Sequence, residues 1–406
     1  MSDTIVVDVC VVGAGPVGGS LACQLAASGI PTAIVDKAAL PPMTHPAFDG
    51  RAYAIAAGSR ALMEGAGLWD LLPAPPEPIL DIRVTDGRVG RPASRLHLHF
   101  DHRDAGVTPF GWMVEARGLR QALNARLQTV DGLSVFAPAD AVVERLADNA
   151  FVHISGGPTI RCKLVIAAEG RMSPLRASAG IPVTRVAYGQ TAIACAISHD
   201  LPHHNVALEH FLPSGPFAAL PMAPSPDAEA GGAEHVSALV WTERTAMAGT
   251  ILALDDVRLA REIRRRLGDH LGAVRAVGRR WHYPLSAMLA HRFIDTRLAL
   301  VGDAAHVLHP IAGQGLNLGF RDAIVLSDLL IAAYGKGEDA GSPALLSHYQ
   351  IARRPDNVAM LTMTDQLNRL FSTRHQAVRT ARGLGIAAVD KCGPLKKVFM
   401  RRAMGV

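Results

Sequence analysis

Gly13-Ala14-Gly15-Pro16-Val17-Gly18 sets three glycines at the spacing GxGxxG, and Asp36 follows 23 positions after Gly13. That combination suits the binding of a dinucleotide. Gly13 permits a tight turn, Gly15 lets the backbone approach a pyrophosphate, and Gly18 lets a helix pack on the preceding strand. A helix opening there offers unpaired N–H groups and a partial positive charge to the anion. Asp36 is placed to accept hydrogen bonds from an adenosine ribose. GxGxxG alone is a weak signal, but here an apolar strand precedes it, a helix follows, and an acid closes the next strand.

A second constellation lies near position 300. Leu298-Ala299-Leu300-Val301 ends in Gly302-Asp303-Ala304-Ala305-His306, and His309-Pro310 leads to Gly313-Gln314-Gly315-Leu316-Asn317. Asp303 stands where sugar-like hydroxyls would bind, which in FAD means the ribityl chain. The N–H groups of Gly313 to Leu316, at a helix start, suit the flavin pyrimidine edge, where they would stabilise negative charge. An NAD site of the plain two-half kind has no need of this remote loop, so FAD is the expected cofactor. His306 and His309 adjoin the loop. Histidine can serve as general base on a phenol; holding the loop in place is the competing and weightier role.

These residues need a scaffold. Ile5 to Val12 reads as a buried parallel strand, Pro16 to Ser28 as a helix stopped by Gly29, and Thr32 to Val35 as the next strand. Leu119 to Leu127 is helical in pattern, and Leu164 to Ala168 is a short strand ending in Glu169-Gly170. Gln190–Ile197, His204–Phe211, Phe217–Met222 and His235–Trp241 read as strands of an antiparallel sheet, with Ser225 to Glu234 as a hairpin loop. Arg297 to Val301 is another strand and Leu316 to Tyr334 a helix. From Ser347 the chain is mostly helical, with breaks expected at Pro355 and Pro394. The fold class is therefore α/β: a Rossmann-like FAD-binding domain (1–74, 106–180 and 286–346), an interleaved antiparallel β-sheet substrate domain (75–105 and 181–285), and C-terminal helices (347–406).

With these segments in order, the chain resembles the class A flavoprotein aromatic monooxygenases of the para-hydroxybenzoate hydroxylase fold, and within them the ubiquinone-biosynthesis hydroxylases. Asp49-Gly50-Arg51-Ala52-Tyr53-Ala54-Ile55, Phe211-Leu212-Pro213-Ser214-Gly215-Pro216, and Tyr349 with Arg353, Arg354, Asp356 and Asn357 extend the likeness over most of the chain. The resemblance implies that Gly13, Gly15 and Gly18 contact the pyrophosphate, and Asp36 the ribose with Lys37 beside it. Arg51 and Arg117 would lie along the phosphate and ribityl region, and Asp303 at the ribityl or pyrophosphate. Gly313, Gln314, Gly315 and Asn317 would flank the isoalloxazine, and Pro310, with His309 as a further pocket candidate, would face the substrate. The family usually has Asp where this chain has Glu169, so no role is carried over to Glu169. The implied reaction is hydroxylation of the ring of a polyprenylated phenol with O2 and transient NAD(P)H. Since the flavin supplies the chemistry, no catalytic side chain is assigned.

Composition agrees with a globular enzyme: 49% hydrophobic, 19% charged, and net charge +5, too weak to indicate nucleic acid. No apolar run is long enough for a membrane span, and Asp3 and Asp8 interrupt the only early apolar stretch, so a cytoplasmic location is expected. Five scattered cysteines, Cys10, Cys23, Cys162, Cys195 and Cys392, suggest neither a metal site nor a disulfide framework. Arg374, Arg379, Arg382, Lys391, Lys396, Lys397, Arg401 and Arg402 are opposed by Asp390 alone, and apolar Ile386–Val389, Leu395, Val398, Phe399 and Met400 interleave with them. That tail suits peripheral docking on the inner face of a membrane, and the implied pathway makes association with its other enzymes a further expectation. Two alternatives stay open: a hydroxylase of a soluble phenol, and a non-catalytic flavoprotein scaffold. Flavin-dependent halogenation is disfavoured because Trp281-His282-Tyr283-Pro284 lacks its tryptophan motif.

Overall fold

The structure, a computed structural model, describes residues 4–40, 50–91, 97–106, 108–224, 235–372, 382, 385, 388–390 and 392–405. Asp49 and the expected loop Ser225–Glu234 lie outside them, as do Arg374, Arg379, Ile386 and Lys391 of the tail.

Two sheets dominate. The first has six strands in the order Ile294–Asp295, Leu298–Leu300, Leu164–Ala167, Val9–Val12, Thr32–Val35, Leu133–Phe136, parallel except for the first pair. Its interior strands are buried on both faces, as their unbroken Val/Ile/Leu/Ala character requires. The helix Pro16–Ala27 packs over it, with Pro16 at the N-terminal position where a missing N–H costs nothing, and ends before Gly29 at φ +81°.

The expected strand Ile5–Val12 is two strands. Thr4–Val6 pairs with Thr159–Cys162 in a four-stranded sheet, and only Val9–Val12 joins the parallel sheet. Asp8 is the reason. Its carbonyl accepts from the N–H groups of Lys163 and Leu164, and its carboxylate meets Lys163 Nζ at 2.6 Å, which turns the chain out of one sheet and into the other.

The second sheet has eight strands in the order His306–Val307, Val274–Ala290, Val183–His199, Val236–Arg244, Gly215–Met222, Val206–Leu212, Asp81–Asp86, Leu98–Asp101. All neighbours are antiparallel except Val206–Leu212 with Asp81–Asp86. Gln190–Ile197 and Phe217–Met222 fall inside this sheet, while the segments expected from His204 and His235 enter it only at Val206 and Val236, His204 and Asn205 taking positive φ in the turn before Val206. Leu300 ends a strand of the first sheet and His306 begins one of the second, so the Gly302–Ala305 turn links both. A three-stranded sheet, Ala52–Ala56, Gly111–Glu115 and Glu77–Ile79, stands between them.

The helix Gln314–Gly335 runs from the second glycine loop, and Pro343–Ser372 follows as one helix. Pro355 does not break it. The proline and Ile351, whose carbonyl loses its partner, are both exposed, so water replaces the missing bond. Pro394 sits in the first turn of the helix Gly393–Met404. Cys10, Cys23, Cys162 and Cys195 are buried thiols and Cys392 is exposed; none is bonded to another.

Candidate functional site: a cofactor groove and an apolar chamber

Four adjacent parallel strands end together, at Val12, Val35, Ala167 and Leu300, and the turns that follow them form one groove. Carboxyl ends of parallel strands at a switch in strand order are where such sheets bind ligands. In the first turn the backbone leaves no space for side chains. A Cβ at Gly13 would lie 2.4 Å from the Ala168 carbonyl oxygen, and one at Gly18 would lie 2.1 Å from that of Gly13. Gly15 is different, with nothing within 4 Å of its Cβ position, although it is the N-cap of Pro16–Ala27 and no side chain caps that helix. The first N–H groups thus face open space, as an incoming pyrophosphate requires.

Asp36 braces this turn. Its Oδ2 accepts from Ala14 N at 2.6 Å and its Oδ1 from Ala38 N at 2.8 Å, and each oxygen retains acceptor capacity for a sugar hydroxyl. Lys37 is exposed beside it. Arg120, which sequence reading passed over, donates to the Ala14 carbonyl at 2.7 Å; burial lowers its pKa, against the pull of Tyr53 and Asp36. Its signal was faint, one arginine among three on the helix Ala116–Thr129.

Asp303 opens onto the groove and is reachable by water, yet the protein around it raises its carboxyl pKa by desolvation, opposed by His306 and Arg171. Gly302, at φ +56°, packs against Val17 of the first helix, as does Gly319. The two turns are therefore in contact. Beneath them Asp322, fully buried, accepts from Gly302 N at 3.1 Å, His306 Nε2 at 2.5 Å, Arg353 Nε at 2.8 Å and Asn357 Nδ2 at 3.2 Å. Burial opposes its charge, but His306 and Arg353 outweigh it and hold the carboxyl below its ordinary pKa.

Gly313 takes φ +62° as the N-cap of Gln314–Gly335, again with no capping side chain. Asn317 ties this loop to the three-stranded sheet, accepting from Ala56 N at 2.8 Å and donating to the carbonyls of Ala54 at 2.7 Å and Gly313 at 3.1 Å. Gln314 donates to the Ala403 carbonyl at 3.3 Å and accepts from Arg321, which joins the loop to the helix Gly393–Met404. Gly315 has nothing within 4 Å of its Cβ position.

Arg51 and Arg117 come together at the backbone, where the Arg51 carbonyl accepts from Ala116 N at 3.0 Å. Their heads diverge. The Arg51 guanidinium lies over Trp281 at 4.0 Å, and Arg117 approaches Glu115 at 3.6 Å. Glu169 accepts from Ser173 Oγ and from Leu175 N, capping the short helix Pro174–Ser178, and burial raises its pKa.

An apolar chamber of about 750 Å³ opens from this loop. Pro310, Ile311, Gly313, Gln314 and Asn317 form one end. The eight-stranded sheet supplies a wall through Ile82, Val84, Ala207, Phe211, Ala218 and Leu220. Met360, Leu367 and Phe371 of the long helix, and Phe399, Met400 and Ala403 of the last helix, close the rest. Phe211 stacks on Phe371 with ring centroids 3.7 Å apart. Pro310 is thus a lining residue, whereas His309 is not: it is buried behind the loop, edge-on to Tyr188 and 3.3 Å from Gln190 Oε1, and burial pushes its pKa down to about 4. Among the described residues no group of three or more His, Cys, Asp or Glu could hold a metal.

The uncapped helix starts, the clearance at Gly15 and Gly315, and an acid at each of two strand ends match the donors and acceptors of a flavin dinucleotide. A family model described as an FAD binding domain matches residues 6–364. The chain belongs to that FAD-binding family. It is 47% identical over 401 residues to the ubiquinone hydroxylase UbiL of Rhodospirillum rubrum, covering 98% of this chain and 90% of that protein. It is 31% identical over 402 residues to the 3-demethoxyubiquinol 3-hydroxylase of Escherichia coli K12, covering 98% of each. Among solved structures, the p-nitrophenol 4-monooxygenase PnpA of Pseudomonas putida DLL-E4 shares the fold, with a TM-score of 0.75 at 19% identity over 99% of this chain and 98% of that one. This family member is an FAD-dependent hydroxylase.

Proposed function

We propose that this hydroxylase acts on the aromatic ring of a polyprenylated phenol in ubiquinone biosynthesis, with NAD(P)H as reductant and O2 as oxygen source. The observation that carries the reading is the chamber. It is nearly all apolar, and its lining includes both the Pro310–Asn317 loop and the last helix, whose outer side is apolar and basic. A prenyl chain would exchange water for that lining at about 0.8 kcal/mol per buried methylene, and the ring would be left at the Pro310 end. The names of the similar hydroxylases favour the same substrate class over a soluble phenol or an inert scaffold.

When bound, FAD supplies the redox chemistry that takes electrons from NAD(P)H and passes an oxygen atom to the ring. The chain's own residues are assigned as follows. The N–H groups after Gly13 and Gly15 hold the pyrophosphate, with Gly18 allowing the helix its approach. Asp36 takes the ribose, Lys37 stands beside it, and Arg51, Arg117 and Asp303 serve the phosphate and ribityl region. Gly313, Gln314, Gly315 and Asn317 flank the ring system. Pro310 and Ile311 exclude water from the face that meets substrate.

The last helix supports peripheral membrane docking. Leu395, Val398, Phe399 and Arg402 fall at i, i+3, i+4 and i+7 and are exposed, with Lys397 and Arg401 alongside, while Met400 and Met404 point inward. No helix among the described residues is long and apolar enough to cross a membrane.

Quinone lipids from a strain lacking the gene test the substrate. Accumulation of a prenylphenol short of one ring oxygen is expected; normal ubiquinone without such an intermediate, and with no redundant hydroxylase present, would refute the reading. In a flotation assay the protein is expected to rise with anionic vesicles. Protein left in the soluble fraction would remove the docking proposal.

A further inference from the structure

The chamber contains one carboxyl for which the assignments above have no use. Glu209 sits on Val206–Leu212, paired with Ala218 on one side and Val84 on the other. The two-residue period of the strand places it on the same face as Ala207 and Phe211, and all three line the chamber. Phe211 packs with Ile311 of the flavin loop, so Glu209 is one step, about 7 Å along the strand, from that contact.

Among the described residues nothing engages Glu209 by hydrogen bond or ion pair. Of the other polar side chains of the wall, Thr242 keeps a buried hydroxyl with no partner among the described residues, and most of the rest are committed. Arg382 is held by Asp86, Asn317 by the backbone of Ala54, Ala56 and Gly313, and Gln314 by Arg321 and Ala403; Arg402 lies on the exposed side of its helix. Burial alone, without a charged neighbour, pushes the Glu209 carboxyl up to about 7. Glu209 is half-buried, and a carboxyl in an apolar chamber with only water to hydrogen-bond is a cost to the fold. It is accounted for when a ligand brings the missing donor, and a prenylated phenol has one strong donor, its ring hydroxyl.

We propose that Glu209 holds the ring hydroxyl of the substrate, its carboxylate accepting the phenol O–H hydrogen bond and then the proton. In that transfer the phenol O–H bond breaks, its electron pair stays on oxygen, the proton passes to a Glu209 oxygen, and nothing is oxidised. The ring becomes a phenolate, richer in electrons at the carbons to be hydroxylated. A carboxyl near 7 is a better match than an exposed glutamate at about 4.3 for a phenol at about 10. Because the strand fixes where the hydroxyl sits, Glu209 also sets which ring carbon faces the loop. This inference rests on the phenol reading above.

The test uses FAD-loaded wild type, Glu209→Gln and Glu209→Leu, with ortho-farnesylphenol and its O-methyl ether as probes. Binding is read from the change in flavin absorbance without reductant, and hydroxylation from product mass spectra. Wild type is expected to bind the phenol roughly 10- to 100-fold more tightly than the ether. Glu209→Leu should lose that preference, whereas Glu209→Gln, whose amide oxygen still accepts the phenol O–H, should keep part of it and lose kcat beyond any rise in KM. Glu209→Leu should also melt higher than wild type, which separates loss of binding from loss of fold. A wild type that binds and hydroxylates the phenol while Glu209→Leu keeps the preference overturns this proposal alone. A wild type that neither binds nor hydroxylates the phenol overturns the substrate reading and this proposal with it.

Discussion

At Gly13 and Gly18 the backbone itself forbids a side chain, with carbonyl oxygens 2.4 and 2.1 Å from where a Cβ would stand, whereas at Gly315 nothing lies within 4 Å. The first turn is closed at Gly13 and Gly18 by main chain against main chain, with Asp36 and Arg120 bracing it at Ala14 and space left only at Gly15. The second is held open by side chains, through Asn317 bridging to the Ala52–Ala56 strand and Asp322 gathering Gly302, His306, Arg353 and Asn357. The difference separates two uses of glycine. One is demanded by the protein's own packing, the other leaves space for something that is not protein.

Substitutions should sort along that line. Gly18→Ala is the harshest, because the methyl has only the Gly13 carbonyl and the Ala168 Cβ, at 2.6 Å, to displace. A loss above about 4 kcal/mol is expected, so the purified protein should lack flavin absorbance and a cooperative melt. A yellow protein with unchanged Tm would break the contrast.

Asp322→Asn comes next, removing a buried charge on which His306 and Arg353 converge. Roughly 3 kcal/mol should be lost in denaturant titrations at neutral pH. The sign with pH follows from the lowered carboxyl pKa: its contribution is complete above the ordinary 3.8 and fades as pH falls through the lower folded-state value. The variant should lack that part of the acid sensitivity.

Gly315→Ala has the smallest expected effect and discriminates best. In the first turn of a helix with free space around it, alanine should stabilise the cofactor-free protein by about 0.5–1 kcal/mol. If that space belongs to the flavin, FAD should bind roughly tenfold more weakly, a difference near 1.4 kcal/mol. Unchanged FAD affinity would make Gly315 a bystander.

Much of this groove could be read from sequence, because local patterns specify it. GxGxxG, the strand before it and Asp36 lie within one short stretch of chain, and Leu298 to Asn317 carries its own strand, turn and helix start. Elements failed where a single residue acted through distant partners. Asp8 split the expected first strand by bonding to residues 163 and 164, and Pro355 was tolerated because its face of the helix meets water. His309 adjoins the loop in sequence but turns to Tyr188 and Gln190, more than a hundred residues earlier. Asp322 gave no signal, being one acid in a long helix. Glu209 did give one, an acid sharing a face with Ala207 and Phe211, but its meaning depends on the chamber, whose walls come from stretches of chain spread between Ala54 and Ala403.

The place of Val9–Val12 in the middle of the parallel sheet has a consequence for how the protein is made. Thr32–Val35 follows this apolar strand closely in the chain and can cover one side of it within seconds of its synthesis. Its other side waits for Leu164–Ala167, some 150 residues later, or roughly 10–30 s at typical rates of synthesis. For that interval Val-Cys-Val-Val is an open edge able to pair with any neighbouring chain. Yield in a producing cell should therefore depend on translation speed and on chaperones that shield this nascent strand, more than on the stability of the finished fold.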